Sequence, residues 1–318
     1  MGDSRLVTQV LPVLPQTAPP DPEPAAGRVL YRDAVVAPLL GYRPLLLDLA
    51  VPAGPPPPTG WPVVVFVHGG AFAVGSPKHA PLGRYLAERL PAAGFAVGLV
   101  HFRHSREAVY PAQLHDVKAA VRWLRQHHTT LALDPERFAA WGHAAGGHLA
   151  VMLAVTGGRP ELEGDIGVLG PDSRVQAAVA WSPPSDFTRL PPPPPSSPFH
   201  ATGEDPHAWL LGGAPAQHPA LAAAASPLTH VSESAAPLLV VHGTADDVVP
   251  ITQSETLVAT YWQAGADAEF RWLEDAGHIY GLGTRETMTT AGIDFLREQL
   301  GAPSPRTRSA EHHSVQQN

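Results

Sequence analysis

The sequence predicts an α/β fold, a mostly parallel sheet covered by helices on both faces. Three observations carry the expectation. Short apolar β-rich runs alternate with helix-periodic segments through most of the chain, "WGHAAGGH" has the frame of a strand-to-helix turn, and the 318 residues are 44% apolar and only 16% charged. Such alternation is what βαβ units leave in a sequence.

The elements follow in order. "RPLLLDLAV" and "WPVVVFVHGG" predict the first strands, "APLGRYLAERLPAAG" a helix, and "FAVGLVHFR" another strand. From Pro111 a helix follows, with Leu114, Val117, Val121 and Leu124 at the three-and-four spacing of one buried face and Pro111 suited to its first turn. Next come the strand "RFAAWGH", the helix "AGGHLAVMLAV" and the strand "VQAAVAWSP". After a long interval the pattern resumes with "APLLVVHGTADD", the helical "SETLVATYWQAG", the strand "AEFRWLEDAGH" and a last helix in "TMTTAGIDFLREQL".

The expected organisation is a flexible Pro-rich segment over 1–27, one α/β domain over 28–301, and a flexible polar tail over 302–318. The interval of about 187–226 breaks the rhythm and reads as a small cap over the carboxyl ends of the strands, where open α/β folds bind ligands. Its five-proline run reads as a stiff connection rather than a docking motif.

A net charge of −8, a pI near 6.1 and the lack of any Lys/Arg cluster argue against nucleic acid as a partner. The chain has no cysteine, hence no disulfide and no thiolate metal site. No run of 18 apolar residues occurs, and the first residues lack a basic n-region followed by an apolar stretch. A cytoplasmic protein without membrane spans is therefore expected. Gly2 suggests acylation, but the sixth residue is Leu6 rather than Ser or Thr, so that signal fails. His312 and His313 read as solvated tail residues, not metal ligands, and no metal or organic cofactor is expected.

Acyl transfer needs a nucleophile held clear of the backbone, a base, an acid that orients the base, and donors for the developing oxyanion. Gly142-His143-Ala144-Ala145-Gly146 fits G-x-S-x-G at both glycines, follows a strand and opens a helix. Only the hydroxyl is missing. "VVVFVHGGAF" places His68-Gly69-Gly70-Ala71 directly after a strand, so the backbone N–H groups of Gly70, Ala71 and Ala145 are the expected oxyanion hole, with His68 structural. In "VVHGTADDVVP" Asp246 is the expected orienting acid, because D-x-x-V-P then runs to Pro250; Asp247 is the fallback. "EDAGHIYG" supplies His278 as the base, completing the chain order nucleophile, acid, base. Phe72, Trp181 and Tyr280 are candidates for the substrate pocket.

With these motifs in order, the chain resembles the α/β-hydrolase superfamily, most closely its lipase/esterase branch with H-G-G-G loops, including bacterial feruloyl and acetyl-carbohydrate esterases. The similarity runs over roughly 28–300 and includes "YPAQLHDVKAAVRWLRQHH" and "LLVVHGTADDVVPITQSE". It implies carboxylic ester hydrolysis through an acyl-enzyme, a small-molecule ester as partner, no cofactor, and a monomer or homodimer. Amide hydrolysis of formyl-aryl amides is the nearest rival activity.

Two residues depart from the pattern. Ala71 replaces the third glycine, a mild change, whereas Ala144 removes the nucleophile. Loss of the nucleophile of a comparable triad costs on the order of 10⁶ in turnover, so the chain as it stands is expected to be nearly inactive. Retention of base, acid and oxyanion loop favours a deliberate Ser→Ala change, able to trap an intact ester, over a natural ligand-binding relative freed from catalysis. Arg103 and Arg106 follow a strand end but have Glu107 and Asp116 nearby as partners, so uncharged esters are the expected substrates.

Overall fold

A computed structural model describes residues 17–195, 197 and 199–301. Among the described residues nine strands form one sheet: β1 (Glu23–Ala25), β2 (Arg28–Ala37), β3 (Leu45–Pro52), β4 (Trp61–Val67), β5 (Ala96–Val100), β6 (Leu133–His143), β7 (Ala177–Trp181), β8 (Leu238–Gly243) and β9 (Ala268–Leu273). Their order is β1-β2-β3-β5-β4-β6-β7-β8-β9. The three pairings from β1 to β5 are antiparallel; every pairing from β5 through β4 to β9 is parallel. Parallel strands need crossovers that cover both faces, so the central strands β4, β5, β7 and β8 are buried along their whole length.

Two helical layers provide that cover. On one face lie α2 (Ala112–Gln126), α3 (Ala145–Val155) and α6 (Thr252–Gln263), packed through residues such as Leu114, Leu149 and Leu257. On the other lie α1 (Pro81–Ala92) and α7 (Leu282–Leu300), packed through Leu86, Leu90, Ile293 and Leu296. Leu114, Val117, Val121 and Leu124 form the buried face of α2 as their spacing predicts, and Pro111 stands at its N-cap, one step before the first turn. Among the described residues no helix is long and apolar enough to cross a membrane.

The N-terminal part needs correction. Residues 1–16, 302–318 and the tail pair His312 and His313 lie outside the described residues, but 17–27, assigned above to a flexible segment, include β1. Backbone pairing of Glu23 to Leu30 and Ala25 to Arg28 ties it to the sheet, and the Trp123 indole N–H donates to the Thr17 carbonyl (3.1 Å).

The described residues of the interval 187–226 include the short helices α4 (Pro206–Leu211) and α5 (Pro219–Ala225). It is fastened to the body. The Arg106 guanidinium pairs with Glu204 (3.0 Å) and lies 4.0 Å from the Trp209 ring centroid, and the Tyr110 hydroxyl donates to the Ala224 carbonyl (3.0 Å).

Candidate active site

The turn between β6 and α3 is set by what glycine lacks. A Cβ on Gly142 would lie 2.0 Å from the Gly146 carbonyl oxygen, and one on Gly146 would lie 2.0 Å from that of Val67. With both absent, the chain passes tightly under itself and forces Ala144 to φ 53°, ψ −121°. Such a conformation costs a non-glycine residue about 1–3 kcal/mol and persists only where its surroundings impose it. The Ala144 N–H donates to the Trp181 carbonyl (2.8 Å), fixing the turn against β7.

The loop after β4 runs beside this turn: a Cβ on Gly69 would lie 3.5 Å from that of Ala144. Gly70, Ala71 and Phe72 all have positive φ (126°, 51° and 60°), so Ala71 adopts the left-handed conformation a glycine would take there. The N–H groups of Ala73 and Val74 both donate to the Gly70 carbonyl (3.0 Å each), while those of Gly70 and Ala71 have no acceptor among the described residues. His68 holds the loop from below. Its Nδ1–H donates to the Gly69 carbonyl (2.6 Å), its ring stacks on Phe102 (4.6 Å), and burial pushes its pKa down to about 4, so it is neutral.

The residues expected as acid and base come from the next loops. Asp246 Oδ1 accepts from the backbone N–H groups of Val248 (3.0 Å) and Val249 (2.9 Å), and Oδ2 accepts from His278 Nδ1–H (2.8 Å). Burial alone would push the Asp246 carboxyl up, but the hydrogen bonds from His242 and His278 outweigh it and hold the group far below the usual carboxylate range. Asp247, the fallback, is exposed.

Two participants were not visible as such in the sequence. His242, fully buried at the end of β8, directs Nε2–H to both the Val249 carbonyl (2.8 Å) and Asp246 Oδ2 (3.2 Å), while Ser254 Oγ–H donates to its Nδ1 (2.6 Å). Asp246 is thus shared by two imidazoles. His143 directs Nε2–H to the His278 carbonyl (2.9 Å) with the two rings 4.7 Å apart, and burial pushes its pKa down to about 4. It anchors the backbone of His278 while remaining uncharged. The only signal for either was a histidine inside a motif already singled out for other residues.

Ala144, Ala145, Gly70, Ala71 and His278 all line one cavity of about 590 Å³. Phe72, Trp181 and Tyr280 line it too. Phe72 packs edge-on to His148 (5.1 Å), and Trp181 lies 5.4 Å from Tyr280, whose hydroxyl donates to the Val241 carbonyl (3.3 Å) and accepts from Ser182 Oγ (3.0 Å). The cap supplies Pro193, Pro194, Phe199, Pro206 and His207, so the five-proline run forms part of the wall. Among the described residues no group of three or more His, Asp or Glu is placed to hold a metal ion.

The profile of the BD-FAE family matches residues 47–261. A probable carboxylic ester hydrolase of Mycobacterium tuberculosis, LipM, is 34% identical over 248 residues, covering 74% of this chain and 54% of LipM. Esterase LipQ of the same organism is 28% identical over 268 residues, covering 80% of this chain and 60% of LipQ. The chain therefore spans little more than half the length of these curated relatives. Among solved structures, a truncated carbohydrate esterase from gut microbiota superposes with a TM-score of 0.73 at 28% identity, covering 89% of this chain and 100% of that one. A thermophilic esterase of Thermogutta terrifontis gives 0.66 at 26% identity, covering 84% and 91%.

Proposed function

Since the chain belongs to the BD-FAE family and has the α/β-hydrolase fold, we propose that it is a carboxylic ester hydrolase of the Ser-His-Asp type whose nucleophile position is held by Ala144. The observation that carries this is the 2.8 Å hydrogen bond between His278 and Asp246, with His278 and the strained turn at Ala144 lining one cavity.

With serine at 144, Nε2 of His278 takes the hydroxyl proton as the oxygen attacks the ester carbonyl. Asp246 stabilises the resulting imidazolium and fixes the proton on Nδ1. The N–H groups of Gly70, Ala71 and Ala145 receive the oxyanion, and Ala145 can do so because the first N–H groups of a helix have no intrahelical acceptor. Collapse expels the alcohol, protonated by His278, and leaves an acyl-enzyme that water, activated by the same imidazole, hydrolyses. A methyl group can perform none of these steps, so the present chain binds ester without turning it over. Retention of base, acid and oxyanion loop around Ala144 fits a deliberate Ser→Ala replacement.

Ala144 also motivates the rival reading, a ligand-binding protein on a hydrolase scaffold. Ala144→Ser decides between them: short-chain aryl esters should be hydrolysed, and His278→Ala in that background should abolish the activity. A folded Ala144→Ser protein that binds esters but does not cleave them would overturn the enzyme reading. Formanilides assayed in parallel separate amide from ester specificity.

A further inference from the structure

The described lining of the cavity contains no aspartate or glutamate and one permanently charged side chain, Arg285. In a chain of net charge −8 this is a selective arrangement. Arg285 lies in the first turns of α7, where the helix dipole disfavours a cation and no acidic side chain or capping hydrogen bond compensates. Its neighbour Glu286 makes no ion pair with it and is bonded instead to Arg89 and to the Tyr85 hydroxyl. The Arg285 guanidinium lies 5.0 Å from the Tyr85 ring centroid, and its buried Nε has no hydrogen-bond partner among the described residues. The two arginines that the sequence offered as anion receptors are committed elsewhere, Arg103 to Asp116 (2.6 Å) and Arg106 to Glu204 (3.0 Å). His207 is occupied by Asp205 (3.3 Å).

We propose that Arg285 is the receptor for a carboxylate on the substrate, so that the site selects esters bearing one anionic group on an otherwise apolar body. This builds on the ester chemistry proposed above and departs from the uncharged substrates that the sequence suggests. The planar guanidinium presents paired N–H donors that match a carboxylate. The Tyr85 ring, 5.0 Å away, adds a cation–π contact to the guanidinium.

The chain as it stands is suited to the test, because Ala144 leaves bound esters intact. Calorimetry with monophenyl glutarate and with 4-carboxyphenyl butyrate places the carboxylate on the acyl and the alcohol side respectively, each compared with its neutral primary-amide counterpart. In one pair the carboxylate should bind about 10- to 100-fold more tightly than the amide, as expected of a charge-assisted hydrogen-bonded pair, and that ratio should fall with added salt. Arg285→Gln should bring the ratio close to unity, and Arg285→Lys, which keeps the charge but not the fork, should retain part of it. Equal binding of carboxylate and amide in both pairs, or a ratio that survives Arg285→Gln, would overturn the proposal. If Ala144→Ser hydrolyses neither charged nor neutral esters the enzyme reading fails, and the binding ratio still decides the role of Arg285.

Discussion

Asp246→Asn exchanges one oxygen for an amide nitrogen, and the structure dictates which. Oδ1 accepts two backbone N–H bonds, from Val248 and Val249, so an asparagine must keep its carbonyl oxygen there and direct its NH₂ to the place of Oδ2. That place faces Nδ1 of His278 at 2.8 Å and Nε2 of His242 at 3.2 Å. His242 cannot give up its proton, because the same Nε2–H also serves the Val249 carbonyl, and donor is set against donor. His278 can accept from the amide only by moving its proton to Nε2, the atom that must accept from a serine at 144. Turnover of the Ala144→Ser enzyme should therefore fall by about 10⁴, as for the comparable swap in a serine protease triad. The buried donor conflict should cost the chain about 2–3 kcal/mol. Steady-state kinetics of Ala144→Ser with and without Asp246→Asn measure the first quantity, and urea denaturation measures the second. Asp247→Asn, at an exposed position, should alter stability by less than about 0.5 kcal/mol. A double variant within about tenfold of its parent, or an Asp247→Asn that reproduces the loss, would refute the assignment.

Gly146→Ala should cost more than about 4 kcal/mol, since its Cβ would meet two backbone oxygens at 2.0 and 2.6 Å; a native melting temperature would contradict the turn geometry. His68 and His148 are each pushed down to about 4 by burial, so between that value and 6.5 the unfolded chain takes up protons that the folded one excludes. Stability should thus be full above 6.5 and decline on acidification, by about 2 kcal/mol per group between pH 7 and 5; denaturation midpoints that stay level over this range would rule the effect out. Trp181→Ala, at 1% exposure, should cost about 3–5 kcal/mol and change the acyl-length preference of the Ala144→Ser enzyme, whereas an unaltered preference would remove Trp181 from the acyl pocket.

The parallel part of the sheet was legible because β4, β5, β7 and β8 are continuous apolar runs between turn signals. β2 was not, and Asp33 shows why. It sits at φ 55° in a break of register between Tyr31 and Ala34, its N–H bonded to the Asp48 carboxylate, so the strand has no unbroken period of two. β1 is too short for periodicity to speak. At the site, Ala144, Asp246 and His278 stood out because each sits in a local motif. His143 and Arg285 depend on where distant elements meet: the first finds its acceptor 135 residues away, the second faces the cavity only because α7 packs beside Tyr85 of α1. Spacing along the chain holds no record of such encounters.

The turn at Ala144 owes its shape to residues 142 and 146 and to the carbonyl of Trp181, none of which involves the side chain at 144. It is a socket rather than a part of the tool. Serine, cysteine or aspartate placed there would project along the same Cα–Cβ direction toward the same cavity, without asking the backbone to move. The chemistry of this fold is therefore separable from its architecture at a single atom position. A turn shaped without its side chain is ready for any short nucleophile placed there.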